Sequence, residues 1–199
     1  MTATLPKASE KRKADHPIDQ MFLDRWSPRA LSGQPISEKD LMTLFEAARW
    51  APSSYNNQPW RMVYARRDTP AWATHFGLLG DYNKAWCEKA AALILFVSKT
   101  TFDHNGQPCI THSFDTGAAW VSLAYQASLK GYVAHGMQGF DYDRAKTELA
   151  IPDGYAVEAM IAVGLPGDPE QLAPALKKSE TPNDRRPLAK TICEGKFKL

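Results

Sequence analysis

The run Ala90-Ala91-Ala92-Leu93-Ile94-Leu95-Phe96-Val97 most limits what this chain can become, because it is apolar at every position. A strand with one wet face alternates apolar and polar residues, whereas a continuous run fits a strand covered on both faces. It predicts a central strand with a packed layer above and below. The run is also far too short to cross a bilayer. A chain of 199 residues suits one domain, and six Trp, seven Tyr and eight Phe supply the packing area for its core.

The flanking segments supply the layers. Ser37-Glu38-Lys39-Asp40 reads as an N-cap and an acidic first turn, and Leu41, Leu44, Phe45 and Ala48 share a helical face, so a helix is predicted to about Trp50. Trp60 to Ala65 has strand character, and Ala71 to Leu79 reads as a second helix leading through Asp81–Lys84 into the central strand. Phe114 to Lys130 is apolar nearly all round, which predicts a helix buried on most sides and ended by Gly131. Its small residues Gly117, Ala118 and Ala119 permit close approach, within one subunit or across a dimer. Asp141 is placed to cap a helix reaching Leu149, and Ala156 to Leu165 alternates as a strand with Val157, Ala159, Ile161 and Val163 on one face. Near the start, Pro17 to Leu23 reads as a short helix with proline in its first turn. Beyond Gly167, prolines at 169, 174 and 182 indicate an extended tail.

A net charge of +2 argues against a nucleic-acid or membrane partner and leaves anion binding to a local site. Cys87, Cys109 and Cys193 are odd in number and widely spaced, which argues against a disulfide framework and for the cytoplasm. Residues 1–16 lack an apolar signal-like core and carry lysines and an arginine, so a flexible, solvated basic arm is expected there, with a single domain over 17–199.

Four short stretches carry chemistry. Ala51-Pro52-Ser53-Ser54-Tyr55-Asn56-Asn57-Gln58-Pro59-Trp60 sets hydroxyls and amides between prolines at a helix–strand junction, as an ordinary polar loop or a ligand-holding one would. Arg25-Trp26-Ser27-Pro28-Arg29 offers two guanidinium forks and a hydroxyl suited to phosphate oxygens. Tyr132 to Phe140 carries Gly136 and Gly139, either in a simple turn or where backbone N–H groups approach a flat ligand. Asn183-Asp184-Arg185-Arg186-Pro187-Leu188 adds a second arginine pair, able to close a phosphate site if the fold brings the ends together. The segment Lys99 to Ser113 lacks periodicity and is long enough for a lid. His104, Cys109 and His112 lie within it without a fourth ligand or a zinc spacing, so no metal is expected.

In this order and spacing, Arg25-x-Ser27-x-Arg29, the Ala51–Trp60 stretch, His135-Gly-Met-x-Gly139-Phe-Asp141 and Arg185-Arg186-Pro-Leu resemble the FMN-dependent nitroreductase family, over nearly the whole chain after the arm. The resemblance implies an α+β fold with a mostly antiparallel central sheet flanked by helices, in a homodimer that binds FMN at the subunit interface. It implies that Arg25 and Arg186, with Arg185 beside it, meet the FMN phosphate, and that Ser27 and Arg29 reach the phosphate, ribityl chain or pyrimidine edge. Pro52, Ser53, Ser54 and Asn56 would contact the flavin ring of the partner subunit, and Gly136, Met137 and Gly139 would lie against its face. The implied reaction is ping-pong hydride transfer from NAD(P)H through FMN to a nitroaromatic, quinone or related acceptor. A flavin-binding sensory module with little turnover is the alternative. No Ser-His-Asp set, carboxylate pair or G-x-G-x-x-G accompanies these motifs, as expected where the cofactor does the chemistry. Pro28 inside the arginine motif and Asp184 before the second pair depart from the family pattern.

Overall fold

The computed structural model describes residues 7–198, and the first six residues of the expected arm lie outside them. Its frame is a four-stranded sheet of β1 (Trp60–Arg66), β2 (Ala92–Lys99), β3 (Val133–Met137) and β4 (Tyr155–Gly164), ordered β1-β2-β4-β3 with every neighbour antiparallel. The apolar run forms β2, which is internal as its composition requires. Ala92, Ile94 and Phe96 pack into one layer, with α2 (Glu38–Arg49) and α5 (His112–Leu129). Leu93, Leu95 and Val97 point into the other, built from α3 (Ala71–Gly77), α4 (Asp81–Cys87) and α6 (Tyr142–Glu148). Two short helices, α1 (Gln20–Asp24) and α7 (Pro174–Lys177), lie in the terminal segments.

Local rules place most boundaries. Ser37 Oγ accepts from Asp40 N at 3.0 Å and starts α2, and Asp141 Oδ1 accepts from Arg144 N at 2.9 Å and starts α6. Gly131 at φ +75° follows the end of α5. Elsewhere stronger signals displace the expectation. Helix α1 begins at Gln20, after Pro17, because Asp19 Oδ1 accepts from Met21 N at 2.8 Å and caps it there. Asp81–Lys84 opens a helix of its own, α4, whose Asn83, Trp86 and Cys87 are buried. A bulge pairs Phe96 with Ala159 but Val97 with Val157, so Glu158 is the extra residue. It shifts the strand's phase and turns Val157 into the second layer, away from Ala159, Ile161 and Val163.

The described part of the arm is anchored at two points: Ala8 is fully buried and Arg12 is 8% exposed, while Lys7, Glu10, Lys11, Lys13, Asp15 and His16 between and beyond them are exposed. The chain from Ala30 to Ser32 lies against Leu165–Gly167, with Ser32 N donating to Leu165 O and Gly167 N to Ala30 O, both at 2.9 Å. A Cβ on Gly167 would stand 2.5 Å from the Leu31 carbonyl, so only glycine permits this approach. The Gly167→Ala variant is expected to lose about 1–3 kcal/mol of stability in urea denaturation.

His135 on β3 fixes the Arg25–Arg29 segment to the sheet. Its Nδ1 donates to the Pro28 carbonyl at 3.1 Å, and its ring lies 4.6 Å from that of Trp86. Burial, the largest influence, pulls its pKa from 6.5 down to about 4; the Pro28 carbonyl opposes this, and the charges of Arg29 and Arg25 add to it. The native ring is therefore neutral at pH values where the unfolded ring already binds a proton. Its contribution is complete above pH 6.5 and is lost as pH falls towards about 4. His75, lowered by burial, acts in the same sense. Urea denaturation of a His135→Gln variant is expected to show a shallower fall in stability across this window, by on the order of 2 kcal/mol. Identical acid slopes would remove His135 as a source.

Candidate functional site

The arginine segment leaves α1 in extended form. Arg25 is the α1 C-cap, at φ −66° and ψ 120°, and its Nη1 donates to Ser27 Oγ at 3.2 Å. The tail returns from the opposite end of the chain. Glu180 Oε1 accepts from Arg29 N at 2.7 Å and from Ala30 N at 2.8 Å, which seats Ser179–Arg185 beside the segment. Together they enclose a cleft of about 610 Å³, lined by Arg12, Arg25, Trp26, Ser27, Arg29, His135, Ser179, Thr181, Asn183 and Arg185.

This cleft gathers four guanidinium groups, and no carboxylate is among its lining residues. Crowding has a cost. Burial lowers the pKa of Arg25 and of Arg12, and the charge of Arg185 lowers both further. Two donors there, Trp26 Nε1 and Arg29 Nε, are buried without a hydrogen-bond partner. A buried donor left unmade costs about 1–3 kcal/mol, so the arrangement is complementary to an anion that would accept from these groups and offset the repulsion.

A second cleft, of about 470 Å³, shares Arg25 and Ser27 with the first and continues over Trp120, Val121, Ala124, Tyr125, Gly136, Met137, Gln138, Ala159 and Ile161. Its lining is mostly apolar and aromatic, as for a flat ring system beside an anionic group. A Cβ on Gly136 would meet the Trp120 ring at 3.2 Å, so the glycine lets that ring close over the strand. Met137 borders the cleft while its sulfur accepts from Cys87 Sγ at 3.5 Å in the second core layer.

Arg25, Ser27, Arg29 and Arg185 thus meet in one cleft, and Gly136 and Met137 in its neighbour. Arg186 lines an adjoining groove of about 990 Å³ instead, together with Arg12, His16, Phe22 and Leu188. Gly139 stands apart: its carbonyl accepts from Gly80 N at 2.9 Å and Asn83 Nδ2 at 3.0 Å, and a Cβ there would stand 2.7 Å from Asn83 Nδ2. Its glycine is explained by docking to α4. Pro52, Ser53, Ser54 and Asn56 line neither cleft of this chain. They form a shaped loop, with Tyr55, Asn56 and Gln58 at positive φ, Ser53 Oγ accepting from Gln58 N at 3.0 Å and Ser54 N donating to Asp115 Oδ2 at 3.1 Å.

The 99–113 loop spreads its three metal-type residues. His104 packs against the rings of Tyr55 and Phe102, Cys109 Sγ lies 3.6 Å from Thr111 Oγ1, and His112, in the first turn of α5, lies 2.7 Å from Ser98 Oγ. Two contributors to the arginine cleft were not legible in sequence. Trp26 between two arginines has no signal that distinguishes it from an ordinary packing residue, and Arg12 has none beyond the basic composition of the arm.

Comparison with known proteins agrees with this architecture. Residues 23–71 match the family model described as Nitroreductase family. A solved structure described as an oxidoreductase containing FMN is 47% identical, covers 94% of this chain and 96% of its own, and superposes with a TM-score of 0.91. Protein DrgA of Synechocystis sp. is 30% identical over 79% of this chain and 86% of its own length. A Thermus thermophilus protein named NADH dehydrogenase is 27% identical over 84% of this chain and 92% of its own. With the antiparallel sheet, the arginine segment and relatives matched over most of both lengths, the chain belongs to the nitroreductase family.

Proposed function

We propose that this protein is an FMN-dependent NAD(P)H oxidoreductase that passes electrons to a nitroaromatic, quinone or related small acceptor, working as a homodimer in the cytoplasm. The observation that carries the reading is the continuity of the two clefts, one cationic with orphaned buried donors and one apolar and aromatic, joined at Arg25 and Ser27. A phosphate on a short polar chain ending in a flat heterocycle has that shape and charge. When bound, FMN supplies hydride chemistry, taking two electrons from NAD(P)H and giving them to the acceptor in a ping-pong sequence.

Arg25, Ser27, Arg29 and Arg185 would hold the phosphate, with Trp26 Nε1 as a further donor. Trp120, Gly136 and Met137 would border the ring and exclude water from its face. Imidazole and carboxylate groups are missing from the described lining of the ring cleft, which fits a protein that orients reactants and leaves the electron chemistry to a bound group.

Dimerisation explains the remaining motif. Along α5, Phe114 is 81% exposed, Val121 41% and Leu129 66%, and Gly117 lies between them on the same side. So large an apolar stripe on a lone chain marks a contact surface. The Pro52–Asn56 loop, tied to Asp115 near the start of that helix, would then reach the ring held by the partner subunit.

The full chain, purified, is expected to be yellow, to elute as a dimer and to bleach anaerobically with NADH or NADPH. Colourless protein that fails to take up added FMN would sink the reading. An Arg25→Ala variant is expected to bind FMN about 1.5–3 kcal/mol more weakly in fluorescence titration, as for one charge-assisted contact.

A further inference from the structure

Arg12 lies outside the motifs that mark the family and outside the matched residues 23–71. It is nonetheless among the most buried charged side chains in the molecule. Its guanidinium makes no salt bridge among the described residues and is spent mainly on main-chain oxygens, with a long 3.5 Å bond from Nη2 to Asn183 Oδ1 beside them. Nη1 donates to Leu23 O at 2.6 Å and to Arg25 O at 2.9 Å, while Nε donates to Asn183 O at 2.8 Å. One planar fork therefore clasps two backbone segments, the one from which Arg25 projects and the one that leads to Arg185.

That clasp is made against an electrostatic cost. Burial, the largest influence, and then the charges of Arg185 and Arg25 depress the pKa of Arg12, with Asp184 and Asp24 opposing them in part, so three like charges are gathered where a neutral tether would avoid the repulsion. Five donors in a rigid plane can satisfy acceptors on two segments at once, whereas the single ammonium of lysine cannot span both.

We propose that Arg12 is a positioning residue of the anion cleft, holding Arg25 and Arg185 on opposite sides of a bound phosphate by clasping the carbonyls of Leu23, Arg25 and Asn183. The proposal rests on the FMN reading, and FMN and riboflavin, which differ only by the phosphate, separate the two.

Both ligands are titrated by flavin fluorescence into the full-length protein, freed of bound flavin, as wild type, Arg12→Met and Arg12→Lys. Wild type is expected to prefer FMN over riboflavin. Arg12→Met is expected to cut that preference by about tenfold or more while leaving riboflavin affinity unchanged, as when Arg25 or Arg185, no longer held in place, loses one charge-assisted contact to the phosphate. Arg12→Lys keeps the charge without the two-segment clasp and is expected to behave as Arg12→Met does. Equal weakening of both ligands means a general structural role and overturns the proposal, as does an unaltered preference. Recovery of the preference in Arg12→Lys also overturns it, since charge alone would then suffice. A wild type that binds neither flavin, or both equally, defeats the FMN reading itself and the proposal with it.

Discussion

A strand with apolar side chains on both faces must be kept from water on both, and β2 passes that requirement outwards. Burying Leu93, Ile94, Leu95 and Phe96 is worth roughly 1.5–3 kcal/mol each, and each pair gains it only when its own helical layer closes, so the full gain needs both. Once β2 is internal, β4 pairs with one side and β1 with the other, which leaves β1 and β3 as the two edges. The β3 edge is where the chemistry collects. His135 and Gly136 sit on β3, and the arginine segment is hung on it through the Pro28 carbonyl.

Against this rigid frame, the arginine cleft is held together by neutral oxygens and a single carboxylate. Glu180 binds the backbone of Arg29 and Ala30, and Arg12 binds three carbonyls. Among the described residues no cleft guanidinium is in a salt bridge, although Asp184 and Asp24 act on Arg12, so much of the guanidinium field stays available to a mobile anion. A site satisfied internally by carboxylates would be more stable empty and would bind less.

The sequence made the sheet's centre, the helix caps and the arginine motif readable because each rests on local rules: apolar continuity, an Ser37 or Asp141 cap, a pair of forks. What it hid depends on partners far along the chain. Asp81–Lys84 reads only as a connection because Asp81 and Asn83 also suit turns, yet Trp86 and Cys87 beyond them are drawn into the core and make it the helix α4. Strand β3 was obscured by its glycine, which is there for the Trp120 ring. Alternation groups Val157 with Ala159, but one extra residue at Glu158 reverses it, and periodicity carries no mark of a bulge. Gly139 left a turn and a ligand approach open, because a glycine needed for helix docking and one needed beside a flat ligand look alike in sequence. Arg12 was invisible for a different reason: its acceptors are main-chain carbonyls, which every sequence possesses.

The bond between Arg12 and Asn183 joins positions 171 residues apart. Contacts of such separation are slow to form, because nearly the whole chain must be ordered before they are made. During synthesis the arm, the arginine segment and the sheet are all available long before Asn183 leaves the ribosome. The anion cleft is consequently a late product of synthesis, and a nascent chain that ends before Asn183 lacks one wall of the pocket.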